Sequence, residues 1–122
     1  MKKILIADDH SEIIELLNDT LCDENYELSF TENGKKAVLL AKKTQPDLII
    51  MDIMMPGSIN GLDATQIIAS DPICINCKIM ILSAKGKDTD KIQAIKAGAS
   101  AFVEKPFSPQ ILLNKIESLL NN

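Results

Sequence analysis

The chain has 122 residues, of which 46% are hydrophobic and 25% charged, and its net charge at pH 7 is -4. This length and composition are typical of one globular domain, which we expect to cover residues 1–122. Aromatic residues make up only 3% of the chain and no basic cluster occurs, which argues against direct binding of nucleic acid. No stretch is long enough to cross a membrane, and Asp8 and Asp9 end the first apolar run too early for a signal peptide, so we expect a cytoplasmic location.

Short apolar segments, typical of buried strands, alternate along the chain with segments whose apolar residues repeat at helical spacing. The predicted strands cover residues 3–7, 27–31, 48–51, 78–82 and 101–104. A helix is predicted after each strand: Ser11, Asp88 and Ser108 are expected to cap three of these helices, and Gly98 to end the fourth. Strict alternation of strands and helices predicts a parallel sheet that is covered by helices on both faces.

Asp52 ends the central predicted strand, a short apolar run that lies between Pro46 and the turn-forming pair Pro56 and Gly57. In open α/β sheets, ligands bind beside the carboxyl ends of the strands, where this carboxylate would lie. Taken alone, an aspartate at such a position is more often a strand cap or the start of a turn. Its functional importance therefore depends on which other residues lie nearby.

Polar residues also stand at the ends of three other predicted strands. Asp8 and Asp9 follow the first strand, Ser83 follows the fourth and Lys105 follows the fifth. Because parallel strands all end at the same side of a sheet, these residues should meet Asp52 there. Two carboxylates about 4 Å apart repel by roughly 4 kcal/mol at an effective dielectric constant near 20. Raised pKa values or a bound cation can relieve that repulsion, and the few hard oxygen donors favour Mg²⁺.

This combination of groups suits phosphoryl transfer. Lys105 and Mg²⁺ would neutralise charge on the transferring oxygens, and Ser83 would add a hydroxyl. Asp52 would attack phosphorus in line and become an acyl phosphate.

The chain resembles the receiver domain of two-component response regulators over essentially its whole length. The resemblance depends on motifs that occur in the same order as in that family: Asp8-Asp9, Asp52 to Pro56, Ser83-Ala84, Gly98-Ala99, Phe102 and Lys105-Pro106-Phe107. It implies the flavodoxin-like fold of the chemotaxis regulator. That fold is a doubly wound, five-stranded parallel sheet with strand order 2-1-3-4-5 and five helices.

The resemblance implies roles for the acidic residues. Asp52 would be the phosphoacceptor, with Mg²⁺ as the cofactor. Asp9 would bind the ion directly and Asp8 through water. Asp52 itself and the backbone carbonyl of Met54 would complete the protein ligands.

The resemblance also implies how a signal leaves the site. Ser83 and Lys105 would contact the phosphoryl oxygens, and the peptide bond before Pro106 would be cis. Ser83 and Phe102 would act as the switch that changes the face formed by the fourth helix, the fifth strand and the last helix. Phe102 lacks the hydroxyl of the tyrosine found in many relatives, so it would act by packing; the alternative is that it is simply a core aromatic residue.

The implied function is that of a signalling switch and not of an enzyme acting on a separate substrate. The domain would take its phosphoryl group from a histidine kinase or histidine phosphotransfer protein and assist its own phosphorylation and autodephosphorylation. It would then regulate a downstream protein or an attached output domain.

A phosphorylation-dependent homodimer is a further expectation from the family, whose DNA-binding members often pair through acidic residues before the switch residue. In this chain Ser100 and Ala101 stand there, which argues against that particular dimer. The loop from Pro56 to Gly61 is one residue longer than the commonest spacing.

Two alternatives have a basis in the sequence. A small-molecule phosphatase or phosphotransferase with an aspartyl phosphate commonly carries a second acid two residues after the nucleophile, but Met54 stands there and the chain leaves no room for a substrate cap. Cys74 and Cys77 have the spacing of a redox pair. With only Cys22 besides, they cannot form a disulfide framework, and we expect plain packing at a loop and strand edge.

Overall fold

The computed structural model describes residues 1–22, 25–84 and 88–121. Within these residues, five strands and five α-helices alternate as the sequence predicted. The strands are β1 (Lys2–Ala7), β2 (Tyr26–Thr31), β3 (Leu48–Asp52), β4 (Lys78–Ala84) and β5 (Ala101–Lys105). The helices are α1 (Ser11–Leu21), α2 (Gly34–Thr44), α3 (Gly61–Ala69), α4 (Asp88–Ala97) and α5 (Pro109–Leu120), with a short 3-10 turn at Pro72–Cys74.

The strands form one parallel sheet in the order β2-β1-β3-β4-β5. This order confirms the doubly wound, flavodoxin-like topology. The central strand β3 is buried along its whole length, since helices cover both faces of the sheet. None of the described helices is long and apolar enough to cross a membrane.

Side chains of the strands alternate between two core layers. One layer joins the sheet to α2, α3 and α4, and Leu5, Ile49 and Ile81 lie in it. The other joins the sheet to α1 and α5, and Ile4 and Ile50 lie in it. Because each central strand is clamped from both sides, the backbone atoms at its carboxyl end are held in fixed positions.

Side-chain caps define the starts of several helices. The Asn33 side chain accepts a hydrogen bond from the Lys36 N–H at 2.8 Å at the start of α2. The predicted cap at Ser108 is confirmed, since its hydroxyl accepts from the Ile111 N–H at 3.1 Å. Gly98 ends α4 as predicted, with a φ of 106° that favours glycine.

The predicted cap at Ser11 is wrong. Ser11 is the first residue inside α1, and the cap position belongs to His10, whose side chain makes no capping bond. The reason lies in the preceding turn, where the Asp8 carboxylate accepts the His10 N–H at 2.8 Å and starts the helix one residue earlier. The predicted cap at Asp88 concerns a side chain outside those that the structure describes, although α4 does begin at this residue.

Candidate functional site

The carboxyl ends of β1, β3, β4 and β5 bring the predicted residues together, and Ser83 of β4 directly follows Leu82, which is paired with Asp52. Asp52 is the last residue of β3, and Lys105 is the last residue of β5. Asp8 directly follows β1 and lies next to Asp52, because the preceding residues Ala7 and Met51 are paired in the sheet. The convergence predicted from strand–helix alternation is therefore present. We call Asp8, Asp9, Asp52, Ser83 and Lys105 the carboxylate site.

Lys105 lies between the two buried carboxylates. Its Nζ atom is 3.4 Å from Oδ2 of Asp8 and 3.4 Å from Oδ2 of Asp52. The Asp8 and Asp52 side chains are 0% and 4% exposed, so solvent screens their mutual repulsion only weakly. The ammonium group compensates part of that repulsion and fixes the position of both carboxylates.

Asp52 carries the most perturbed carboxylate of the site. Its pKa is raised to about 6, mainly by burial and also by the charge of Asp8, while the charges of Lys105 and His10 oppose the increase. Its Oδ2 atom is fully buried, and none of the described residues donates a hydrogen bond to it. An oxygen buried without a hydrogen bond is costly, and the Lys105 ammonium at 3.4 Å offsets only part of that cost.

His10 belongs to the carboxylate site, although the sequence analysis assigned it no role. Its Nδ1 atom lies 2.8 Å from Oδ1 of Asp8, 3.3 Å from Oδ1 of Asp9 and 3.3 Å from Oδ2 of Asp52. The hydrogen bond to Asp8 raises the pKa of His10 above its usual value, with the charge of Asp8 adding to the effect and burial opposing it. Its place directly after two aspartates was the available signal.

A metal ion fits the donor set of this site. One ligand atom each from Asp8, Asp9, His10 and Asp52 can be chosen so that all lie within 4.8 Å of one another. The Asp9 side chain is 34% exposed and gives the cluster access to solvent. Met54 lies in the loop after β3 and is 72% exposed.

Gly61 holds that loop against the end of β3. A Cβ atom at Gly61 would lie 2.0 Å from the carbonyl oxygen of Asp52, so only glycine allows this approach. The Gly61 N–H also donates to the carbonyl of Ile53 at 2.9 Å, and Asn60 with Asp63 forms a capping box. Both ends of the loop are thereby fixed beside the carboxylate site.

Ser83 is buried in β4, but its hydroxyl is directed toward α4. The Oγ atom donates to Oδ2 of Asp90 at 2.6 Å, and it lies 3.3 Å from the carbonyl of Ala84. A carboxylate is the stronger acceptor of the two, because bonds to charged groups are shorter and stronger. Asp90, which the sequence analysis did not identify, thus links the carboxylate site to α4.

Phe102 lies in β5, facing the layer formed with α2, α3 and α4. It is half-buried and packs against that layer, and it lines a surface groove together with Lys91 and Ile95. The Lys115 ammonium of α5 donates to the carbonyl of Phe102 at 3.3 Å. The bond between Lys105 and Pro106, which follows this strand, is cis.

The cysteine pair does not have the properties of a redox site. Burial raises the pKa of Cys77 to about 12, and neighbouring Cys74 contributes to the increase. A redox-active cysteine requires a lowered pKa, because the thiolate is the reactive form. The structure therefore disfavours the redox alternative.

Comparison with known proteins identifies relatives of the whole chain. Residues 4–117 match the response regulator receiver domain family. The chemotaxis protein CheY of Thermotoga maritima is 41% identical over 120 residues, which cover 94% of this chain and 97% of CheY. The phosphate regulon transcriptional regulatory protein PhoB of Pseudomonas aeruginosa is 34% identical over 119 residues, which cover 98% of this chain and 52% of PhoB. The chain thus spans about half the length of PhoB.

Solved structures show the same fold. A response regulator from Chloroflexus aurantiacus superposes with a TM-score of 0.93 at 30% identity, covering 99% of this chain and 98% of that one. The signal receiver domain of a LuxO repressor protein from Vibrio parahaemolyticus superposes with a TM-score of 0.89 at 26% identity, covering 98% and 90%. The likeness extends over all five strand–helix units.

Proposed function

This chain belongs to the response regulator receiver domain family, the phosphoacceptor switches of two-component systems, and we propose that Asp52 is its phosphoacceptor. The observation that carries the proposal is the Oδ2 atom of Asp52, which is buried and accepts no hydrogen bond from the described residues. It lies 3.4 Å from the Lys105 ammonium. A nucleophilic oxygen is thus held beside a fixed positive charge.

In the proposed reaction an oxygen of Asp52 attacks the phosphorus of the donor in line. The bond from phosphorus to the leaving group breaks, and its electron pair departs with that group. The leaving group is the imidazole of a phosphohistidine, or acetate when acetyl phosphate is the donor. Lys105 neutralises charge on the transferring oxygens. The product is an acyl phosphate on Asp52, which the same site would later hydrolyse.

The donor set of the carboxylate site supports Mg²⁺ as the cofactor. Asp9 and Asp52 would bind it directly, with Asp8 through water and the Met54 carbonyl as a further ligand. When bound, the ion neutralises negative charge on the carboxylates and the phosphoryl group. A magnesium ion is coordinated in the active-site cleft of the receiver domain of a sensor histidine kinase from Pseudomonas aeruginosa, which shares this fold at 23% identity.

Ser83 supports a switching role, because its present partner lies on another element. To contact a phosphoryl group on Asp52, its hydroxyl must leave Asp90 on α4. That exchange would free α4 and make room for the half-buried ring of Phe102 to rotate inward. The surface formed by α4, β5 and α5 would then differ between the two states, and a coupling of about 1–3 kcal/mol is typical of such switches.

The proposed partners follow from the family. A histidine kinase or histidine phosphotransfer protein would supply the phosphoryl group, and a downstream protein or an attached output domain would respond to it. Both arrangements exist among the relatives: the CheY match covers almost all of that protein, whereas the PhoB match covers 52% of a transcriptional regulator.

Phosphorylation by acetyl phosphate tests the proposal. With Mg²⁺ present, intact-mass spectrometry should show the addition of one phosphoryl group to the wild type, and a chelator should prevent it. Asp52→Asn should show no addition, because the amide is not a nucleophile for this reaction. Asp19→Asn, which removes an exposed carboxylate of α1, is the matched control and should behave as the wild type. An adduct of the same occupancy on Asp52→Asn would refute the assignment.

A further inference from the structure

We propose that His10 is a metal ligand of the carboxylate site, and that the site therefore binds first-row transition ions such as Ni²⁺ more tightly than Mg²⁺. The proposal uses the same carboxylates as the proposed function and rests on it to that extent. It adds an imidazole nitrogen to a ligand set made only of oxygen atoms. Imidazole suits Ni²⁺, Zn²⁺ and similar ions, whereas Mg²⁺ prefers hard oxygen donors.

The spacing around His10 matches a coordination sphere. With metal–ligand bonds near 2.1 Å, adjacent ligand atoms lie about 3.0 Å apart in an octahedron. The Nδ1 atom of His10 is 2.8 Å from Oδ1 of Asp8, 3.3 Å from Oδ1 of Asp9 and 3.3 Å from Oδ2 of Asp52. One nitrogen thus lies at ligand-edge distance from three separate carboxylates.

A second observation points to a ligand at this place. The Oδ2 atom of Asp52 belongs to a side chain that is only 4% exposed, and it accepts no hydrogen bond from any residue that the structure describes. It faces both His10 Nδ1 and Lys105 Nζ at ion-pair distances. A cation bound beside His10 would engage this oxygen directly.

The backbone of His10 is fixed on both sides, so its ring needs little reorganisation to bind a metal ion. Its N–H donates to the Asp8 carboxylate at 2.8 Å. Its carbonyl accepts from the N–H groups of Ile13 and Ile14, each at 3.1 Å, in the first turn of α1. The ring itself is 55% exposed, which leaves a path for the ion from solvent. On binding, the metal replaces any proton on Nδ1, and that proton passes to water.

Calorimetric titration with Ni²⁺ and with Mg²⁺ tests the proposal on the full chain. The wild type should bind Ni²⁺ more tightly than Mg²⁺. His10→Gln should lower Ni²⁺ affinity on the order of 10- to 100-fold, as loss of a metal-site group does, without lowering Mg²⁺ affinity. Asp9→Ala is the companion variant and should weaken the binding of both ions. His10→Gln keeps all three cysteines, so Ni²⁺ affinity that is unchanged in this variant would overturn the proposal.

Proton NMR of the Ni²⁺ complex gives an independent measurement. The chain has one histidine, so a strongly shifted signal from a carbon-bound proton of an imidazole ring can come only from His10. Its absence at saturating Ni²⁺ would show that the ring only neutralises charge and would also overturn the proposal. Phosphorylation by acetyl phosphate with Mg²⁺ separates the two proposals. Failure of Asp52 to react would refute the proposed function alone, whereas unchanged Ni²⁺ binding in His10→Gln would refute this inference alone.

Discussion

Burial determines the chemistry of Asp52. The side chain is 4% exposed, and its raised pKa means that the folded protein stabilises the protonated form relative to the unfolded chain. The charges of Lys105 and His10 favour the ionised form of Asp52 but do not remove the whole cost of burying its charge. The burial of this proposed phosphoacceptor therefore lowers the stability of the metal-free domain.

Asp52→Asn should stabilise the metal-free domain at neutral pH. The pKa of Asp52 rises from 3.8 to about 6 on folding, so the cost of ionising the carboxyl develops between about pH 4 and about pH 6 and is fully present above that range. As pH falls toward about 4, the folded carboxyl takes up its proton first and the penalty disappears. The variant should gain about 1–3 kcal/mol of unfolding free energy at about pH 7 and almost none at about pH 4.

Urea unfolding of both proteins in chelator at the two pH values measures this difference. Lowered stability of Asp52→Asn at about pH 7 would show that Lys105 and His10 outweigh the cost of burial.

The sequence was sufficient to predict five residues of the site, because parallel strands all end at one side of a sheet. These residues are Asp8, Asp9, Asp52, Ser83 and Lys105. Strand-end reasoning did not identify His10 or Asp90. His10 occupies the cap position of a helix and Asp90 lies within one, and their contacts depend on rotamers and helix placement. Neither strand order nor hydrophobic periodicity contains that information.

The secondary-structure elements were predictable because each has its own hydrophobic period and end signals. The predicted strand bounds differ from the observed ones by one or two residues, and the caps at Asn33 and Ser108 use side chains that commonly cap helices. The start of α1 was predicted one residue late because the Asp8 carboxylate accepts the backbone N–H of His10 and places His10 at the cap position. The geometry of the carboxylate site thus overrides the local capping preference of Ser11.

Asp90→Ala should change the balance between the two proposed states of α4. The 2.6 Å bond from Ser83 is made in the unmodified protein and would have to break for the hydroxyl to reach a phosphoryl group on Asp52. Losing it should lower the unfolding free energy of the unmodified domain by about 1 kcal/mol. The same change should raise the affinity for beryllofluoride, a phosphoryl mimic, several-fold.

Fluorescence or calorimetric titration with beryllofluoride and Mg²⁺ measures the second effect. Gln93→Ala, an exposed position on the same helix, is the control and should leave the affinity unchanged. Equal affinities in Asp90→Ala and the wild type would mean that the Ser83–Asp90 bond does not oppose the switch.

For the molecule as a whole, the proposed switch requires a rigid sheet and an element that can respond, which we propose is α4. The core layers hold β1, β3 and β4 from both sides, so the carboxylates cannot move apart. In α4, by contrast, Ile92 and Ile95 are 55% and 62% exposed, and the buried side of the helix includes the small residue Ala94. Alternation of strands and helices predicted the platform; the weak anchoring of α4 is visible only in the structure, because large apolar residues in a sequence normally indicate a buried face.

A crystal structure with beryllofluoride and Mg²⁺ tests the central claim most directly. We predict that beryllium is bonded to a carboxylate oxygen of Asp52, with Lys105 Nζ in contact with the adduct. The Ser83 hydroxyl should be turned from Asp90 toward a fluorine atom. An adduct on Asp8 or Asp9, or an adduct on Asp52 with Ser83 still bonded to Asp90, would contradict the account.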